Sequence, residues 1–275
     1  MKKRLVALIL ALAFVLGACS TGTTPSTEGE KKESNEPTKL VIGVSPVPHE
    51  ELTKIAQKIL KDEGIELEIK VFDDYVLPNE ALADGSLDAN FFQHEPYMKT
   101  FEQEKGQDFA NIGGVHVEPI ALYSTKIKSL DELKDGAEIL IPADSSNGSR
   151  ALFLLETNGL IKLKEGVGDL VTEQDIVENP KNVKFTPVDA AILTKSYADV
   201  DAAVINSNFA IQAGLNPLKD GIVIEGTESK YANIIAVREA DKDKEVFQKL
   251  IKAFQSEEVK KFIEDTYKGS VVPAF

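Results

Sequence analysis

The sequence has 275 residues, which is enough for one large domain or two ordinary ones. Its 43% hydrophobic and 28% charged residues are typical of a folded protein and exclude a fully disordered or all-membrane chain. The single cysteine excludes an internal disulfide framework and a multi-cysteine metal site, and the formal net charge of -14 disfavours nucleic acid as a partner.

Residues 1–18 predict a signal peptide. Three basic residues at positions 2–4 precede an apolar run from Leu5 to Leu16, which is shorter than the roughly 20 residues of a membrane-spanning helix. The run leads to Leu-Gly-Ala-Cys, which resembles the bacterial lipoprotein processing signal, where the cysteine is lipid-modified and becomes the mature N-terminus. An ordinary signal peptide with an incidental cysteine is the alternative. Cleavage before Cys19 removes three positive charges and leaves a formal charge of -17.

The segment 19–38 predicts a flexible tether. After Cys19 it has no apolar periodicity and is rich in Ser, Thr, Glu, Lys, Gly and Pro, so it cannot bury enough surface to offset the entropy of ordering. A lipid on Cys19 and this tether together predict a protein held at the extracytoplasmic face of the cell membrane by its lipid anchor only.

From residue 39 onward, predicted strands and helices alternate. The apolar residues of 65–71 recur at every second position, as in a half-buried strand, whereas those of 52–60 recur every three or four, as on one face of a helix. Strands are predicted at 40–44, 65–71, 87–92, 115–124, 137–141, 183–185, 201–205, 223–224 and 232–237. Helices are predicted at 52–60, 78–84, 95–107, 148–158 and 189–197, and two more close the chain.

This alternation predicts an α/β fold of mixed sheets flanked by helices. A body of this size favours two lobes. We place lobe I at 39–126 and 232–275 and lobe II at 127–231, so that the chain crosses between them twice.

No catalytic constellation is predicted. Ser145 lies near a strand end but lacks a G-x-S-x-G turn, and His49, His94 and His116 show no spacing typical of a hydrolase triad or a zinc site. The sequence therefore predicts no enzyme, no cofactor and no metal. A secreted hydrolase that uses Ser145 is the alternative.

Residues 142–150 could bind an anion. A strand end, a polar loop and a helix start place unpaired backbone N–H groups at one point. Arg150 falls in the first turn of the predicted helix, where the helix dipole disfavours a cation unless an anion pairs with it. A solvated arginine near a helix start explains the segment equally well.

Aromatic residues cluster near the ends of two predicted strands. Adjacent Phe91 and Phe92 must point to opposite faces of a strand, so one can join the core while the other lines a cleft. Ligands bind beyond the carboxyl ends of strands in open α/β sheets. Tyr75, one of these phenylalanines, His94 and Tyr97 thus predict a slot suited to an apolar or thioether side chain. An aromatic core without a ligand is the alternative.

Two asparagines, Asn206 and Asn233, lie at the edges of apolar strands. Their side-chain oxygens can accept hydrogen bonds from an ammonium group. A turn or helix N-cap is the alternative, above all for Asn208. Together with Arg150 and the aromatic slot, the two amides suit a zwitterion with an apolar side chain.

Four segments carry a resemblance to a known family: 72–79 (FDDYVLPN), 87–97 (LDANFFQHEPY), 142–150 (PADSSNGSR) and 201–206 (DAAVIN). They resemble the bacterial methionine-binding lipoproteins, which are the substrate-binding components of ABC importers. The resemblance extends from the lipoprotein signal to Phe275 and implies a two-lobed periplasmic-binding-protein fold that closes over its ligand. It implies that Arg150 holds the α-carboxylate and that Asn206 and Asn233 position the amine. The residues implied to enclose the thioether are Tyr75, Phe92, His94 and Tyr97.

The function predicted on these grounds is capture of L-methionine outside the cytoplasm and its delivery to a membrane permease powered by a cytoplasmic ATPase. A methionine-containing dipeptide or another amino acid is the alternative ligand. A surface adhesin or a metal-delivery lipoprotein on the same scaffold is the alternative class.

Overall fold

A computed structural model describes residues 37–226 and 229–275. The predicted signal peptide, Cys19 and all but the last two residues of the predicted tether lie outside the described residues. Within the described ranges, no helix is long and apolar enough to cross a bilayer. The predicted α/β class is confirmed, because two mixed sheets alternate with helices along the chain.

The helices and strands have the following bounds. The strands are β1 (Thr38–Val44), β2 (Ile65–Val71), β3 (Ala89–His94), β4 (Phe109–Val117), β5 (Ala121–Tyr123), β6 (Glu138–Pro142), β7 (Lys162–Leu163), β8 (Ile176–Glu178), β9 (Lys184–Val188), β10 (Ala202–Ile205), β11 (Val223–Ile224), β12 (Ala232–Arg238) and β13 (Val272–Pro273). The helices are α1 (Glu51–Asp62), α2 (Leu77–Ala83), α3 (Glu95–Lys105), α4 (Ser145–Thr157), α5 (Ala190–Ser196), α6 (Ser207–Gln212), α7 (Pro217–Asp220), α8 (Glu245–Phe254) and α9 (Glu257–Tyr267).

The first sheet has the strand order β13-β4-β12-β3-β1-β2. Its β1, β2 and β3 are parallel, and β12 runs antiparallel to both β3 and β4. The buried face of α1, formed by Leu52, Ala56 and Leu60, packs in the core beneath this sheet, and Gly64 adopts a φ of +75° that ends the helix and turns the chain into β2.

The second sheet has the order β11-β5-β10-β6-β9. Its central strands are buried on both faces, so successive residues enter different cores: Ile139 packs with Leu155, whereas Leu140 packs with Leu193 and Phe209. Burial on both faces is the reason that these strands are apolar without alternation. The chain crosses between the sheets at 118–120 and again between β11 and β12.

Two predicted elements have different bounds. The single strand predicted at 115–124 is wrong: β4 lies in the first sheet and β5 in the second. Pro119, between them, has no N–H group to donate to a ladder. β5 therefore pairs within the second sheet, although the predicted limit at 126 assigns it to lobe I. The lobe limits otherwise stay a prediction.

The helix predicted from 148 begins at Ser145, because the Asp144 carboxylate accepts a hydrogen bond of 2.8 Å from the backbone N–H of Asn147 and caps the helix.

Candidate functional site

One cavity is lined by residues from both sheets and from the first chain crossing. Its lining residues are Tyr75, Phe92, Gln93, His94, Tyr97, Glu118, Asn147, Arg150, Asn206, Ser207, Asn208 and Asn233. All seven residues that the sequence analysis selected as ligand contacts are among them. Their roles in binding stay a prediction.

The aromatic wall of this cavity is formed at the carboxyl end of β3. Phe92 and Tyr97 have ring centroids 6.0 Å apart, and the ring of Tyr75 lies 5.9 Å from Phe92 and 5.7 Å from Tyr97. Phe91 points the other way and packs edge-on against Phe254 in the core at 5.0 Å. The prediction that the two adjacent phenylalanines face opposite sides of the strand is confirmed.

Tyr75 joins the two halves of the cavity. Its hydroxyl donates a hydrogen bond of 2.5 Å to the side-chain oxygen of Asn208, which lies on α6 beside the second sheet. The hydroxyl of Tyr97 donates to the backbone carbonyl of Tyr75 at 2.9 Å. Asn208 is the second residue of helix α6 and lines the cavity. The alternative that Asn208 is an N-cap is therefore wrong.

His94 lies where β3 passes into α3. Its Nδ1 accepts a hydrogen bond from the backbone N–H of Tyr97 at 3.1 Å and caps α3. The proton must then be on Nε2, which faces the side-chain oxygen of Asn147 at 3.1 Å. Burial, aided by the positive charge of Arg150, lowers the pKa of His94 to about 3. The ring is therefore neutral and has a fixed direction of donation.

Arg150 is buried in the second turn of α4, with 4% of its surface exposed. The prediction that it lies in the first turn is wrong, because α4 begins three residues earlier than expected. The alternative of a solvated arginine is wrong because the side chain is buried. Its Nε and Nη2 donate to the two carboxylate oxygens of Glu225 at 3.0 and 2.5 Å, and Nη2 also donates to the backbone oxygen of Glu118 at 2.7 Å. The guanidinium stacks on the ring of Tyr231 at 4.3 Å.

Asn206 and Asn233 reach the cavity from opposite sheets. The amide nitrogen of Asn206 donates to Asn147 at 2.8 Å. Its oxygen is buried and has no hydrogen-bond partner within residues 37–226 and 229–275. The oxygen of Asn233 lies 3.0 Å from Nε2 of His49. Asn206 thus leaves a free acceptor, whereas the acceptor of Asn233 is already engaged.

Glu118 and Glu225 were missed by the sequence analysis. The Glu118 carboxylate is buried at the end of β4, and its Oε1 lies 2.6 Å from Nε2 of His116 and 3.4 Å from Nε2 of His49. Burial raises the pKa of this carboxyl, while the charges near it act in the opposite direction. Glu225 directly follows the apolar residues 222–224, which is a weak signal, whereas Glu118 follows a stretch that contains His116. Neither pattern is enough to distinguish these glutamates from the many exposed glutamates of this chain.

Comparison with known proteins agrees with the resemblance drawn from the sequence. Residues 40–275 match the sequence profile described as NlpA lipoprotein. The D-methionine-binding lipoprotein MetQ of Salmonella typhimurium is 45% identical over 244 residues, which are 88% of this chain and 90% of that protein.

Solved structures show the same relation. A nutrient-binding protein from Burkholderia cenocepacia, solved bound to methionine, is 47% identical with a TM-score of 0.84 over 86% of this chain and 100% of that one. A periplasmic substrate-binding protein of an ABC transporter from Coxiella burnetii is 43% identical with a TM-score of 0.82 over the same shares. The predicted periplasmic-binding-protein fold is therefore confirmed, and the chain belongs to the NlpA lipoprotein family.

Proposed function

We propose that this protein is an extracytoplasmic, lipid-anchored receptor that binds methionine and delivers it to an ABC importer. Binding requires no covalent chemistry, only a closed site for a zwitterion with an apolar side chain. The names of the relatives, which specify methionine and an ABC transporter, support both parts of the proposal.

The observation that carries the proposal is that the free acceptor of Asn206 and the guanidinium of Arg150 belong to residues that line the same cavity. Arg150 and Asn147 lie three residues apart on α4 and so share one face of the helix, and Asn147 is bonded to Asn206. A cation and an unsatisfied amide oxygen are therefore held close together in a buried site. An α-amino acid presents the complementary pair, a carboxylate for Arg150 and an ammonium for Asn206.

The side chain of the ligand would lie between Tyr75, Phe92, His94 and Tyr97. Three of these rings are mutually in contact, and His94 is neutral, so the slot carries no charge that an aliphatic thioether would have to desolvate. Sulfur also contacts aromatic ring edges favourably. We propose Asn233 as a further contact at the amine end, as the family resemblance implies.

Calorimetric titration of the purified protein with L-methionine tests the proposal. Arg150→Ala should weaken binding by about 100-fold or more, because a charge-assisted pair in a buried site is lost. Arg150→Lys should recover only part of it, since a single ammonium group cannot both replace the two bonds to Glu225 and reach the ligand carboxylate. Lys252→Ala, an exposed change on α8, is the matched control and should bind like the original protein. Wild-type affinity in Arg150→Ala would exclude this residue as the carboxylate contact.

The identity of the ligand has its own test. Native mass spectrometry of the freshly purified protein should show a bound mass equal to methionine rather than to a methionine dipeptide. Competition between the L and D enantiomers then measures which form of methionine the protein prefers. A retained dipeptide, or no retained or added amino acid at all, would contradict the proposal.

Anchoring through Cys19 is also proposed, on the strength of the processing signal and the lipoprotein relatives. Mass spectrometry of the mature protein should show an N-terminal cysteine carrying lipid. Cys19→Ser should move the protein from the membrane fraction to the soluble extracytoplasmic fraction without changing methionine affinity.

A further inference from the structure

We infer that Glu118 contacts the ammonium group of the ligand, and that His49 and His116 are positioning residues that hold its carboxylate ionised. This inference rests on the proposed function, since it assigns the amine end of the same cavity. It concerns two histidines that do not line the cavity themselves.

Glu118, His49 and His116 form a buried cluster. Glu118 is 5% exposed and is one of the residues that line the cavity, while His49 and His116 are 1% and 0% exposed and are not among them. Both rings present Nε2 to the same carboxylate oxygen. Nε2 of His49 also faces the oxygen of Asn233, so one ring connects the carboxylate with an amide that lines the cavity.

The protonation of the two rings follows from these contacts. An Nε2 that faces a carboxylate oxygen must carry the proton, so each Nδ1 is bare. Consistent with this, Nδ1 of both histidines is buried without a hydrogen-bond partner in the described part of the chain. Burial lowers the pKa of His49 to about 4 and that of His116 to about 3, so both rings are neutral. The Nε2–H of His116 donates to Glu118, whereas that of His49 is bonded to Asn233 and lies 3.4 Å from the same carboxylate oxygen. The two rings stabilise a negative charge on Glu118 without cancelling it.

Among the described residues, no lysine or arginine is bonded to this carboxylate. Arg150 is the cation that faces Glu118, but two of its nitrogens are bonded to Glu225. The other groups that face or sense the carboxylate from elements packed around it are neutral: the hydroxyls of Tyr75 and Tyr267, the backbone N–H of Asn208 and the amide of Asn233. An uncompensated carboxylate at the wall of a buried cavity is the complement of an ammonium group.

A metal ion explains the cluster less well. The ligand atoms of His49, His116 and Glu118 do lie within 4.8 Å of one another. However, metal-bound histidines almost always donate their second ring N–H to a neighbouring acceptor, and here Nδ1 of His116 lacks a partner among the described residues. The 2.6 Å contact between His116 and Glu118 is moreover a direct hydrogen bond.

A two-ligand titration tests the inference. L-methionine and its des-amino analogue, 4-(methylthio)butanoate, are compared by calorimetry in the original protein and in Glu118→Gln. We expect Glu118→Gln to weaken methionine about 10- to 100-fold and the analogue less than about threefold, because only methionine carries the ammonium. Binding of the analogue also shows that the variant is folded. Equal losses for both ligands, or no loss for either, would overturn the assignment of Glu118.

The histidines are tested by pH. Methionine affinity should fall as the pH drops through the pKa of Glu118, because only the ionised carboxylate pairs with an ammonium. His116→Leu removes a hydrogen-bond donor to Glu118 and should move the midpoint of this fall in affinity to higher pH. His116→Gln retains an N–H donor, so its midpoint should lie close to that of the original protein. An unshifted profile in His116→Leu, or one equivalent of zinc in the purified protein, would overturn the positioning role. If the original protein binds neither ligand, the proposed function fails as a whole.

Discussion

At the scale of single residues, Tyr75 connects the two sheets at the cavity. Its hydroxyl reaches Asn208 on α6, and its ring lies 5.0 Å from that of Phe209 on the same helix. On the other side, the ring packs against Phe92 and Tyr97. A ligand between these groups would be enclosed only while both sides are in contact, so the hydroxyl contributes to the closed form and not only to the aromatic wall.

Removal of this hydroxyl should weaken binding without unfolding the protein. Tyr75→Phe retains the ring and loses the hydrogen bond to Asn208, so methionine affinity should fall about three- to tenfold in calorimetry, the range of a neutral hydrogen bond. Tyr97→Phe is the matched control, because its hydroxyl bonds only to the backbone of Tyr75 in the same half of the cavity. A larger loss in Tyr97→Phe than in Tyr75→Phe would contradict the bridging role.

At the scale of elements, helix α4 fixes the polar end of the site. Asp144 caps the helix, and Asn147 and Arg150 follow on one face. The hydroxyl of Ser149 bonds to the backbone oxygen and N–H of Val171 and so ties the first turns to the segment beyond β7. The position of the guanidinium therefore depends on how the helix begins.

The cap can be tested by a pair of substitutions. Asp144→Ala should lower the free energy of unfolding by about 1 kcal/mol, the usual value of an N-cap, and should also weaken methionine binding because Asn147 loses its anchor. Ser256→Ala removes the N-cap of α9, which does not contribute to the cavity, and should cost similar stability with no change in affinity. Denaturant titrations and calorimetry measure the two effects. Unchanged methionine affinity in Asp144→Ala would show that the helix cap does not contribute to binding.

At the scale of the whole molecule, all three histidines of the chain are buried and neutral. Their pKa values are lowered from 6.5 to about 4 for His49 and about 3 for His94 and His116, mainly by burial. The unfolded chain then binds more protons than the native state between about pH 6.5 and these values. Their contribution to stability is complete above about pH 6.5 and is lost as the pH falls below it.

This linkage predicts acid destabilisation with a measurable slope. The free energy of unfolding should decrease by up to about 1.4 kcal/mol per pH unit for each histidine below pH 6.5. The raised pKa values of Glu118 and Asp144 act in the opposite direction, because these carboxyls hold protons more strongly in the native state. A comparison of the original protein with His116→Gln isolates one histidine. Between pH 4.5 and 6.5, the free energy of unfolding of the variant should depend less steeply on pH, by the equivalent of about one bound proton. Identical slopes for the two proteins would contradict the conclusion that His116 is buried and neutral.

The sequence alone determined the order and type of most elements. Periodicity of two or of three to four residues reflects which side chains are buried along one strand or helix, and this signal is local. It predicted the alternation of strands and helices and the opposed directions of Phe91 and Phe92, whereas the resemblance to a known family implied seven of the twelve residues that line the cavity. It failed where a local signal was misleading, as at Pro119, where largely apolar segments on both sides of the proline belong to different sheets.

Only the tertiary structure decided how the polar groups of the site are paired. Arg150 bonds to Glu225, 75 residues away, and His49 faces Asn233, 184 residues away. These contacts depend on two chain crossings that bring the ends of distant strands together. The sequence around a glutamate does not indicate which residue it will pair with, because its burial, its counter-charge and its pKa are properties of the assembled fold. The sequence therefore identified the seven candidate contacts, whereas the network that orients and charges them arose only from packing.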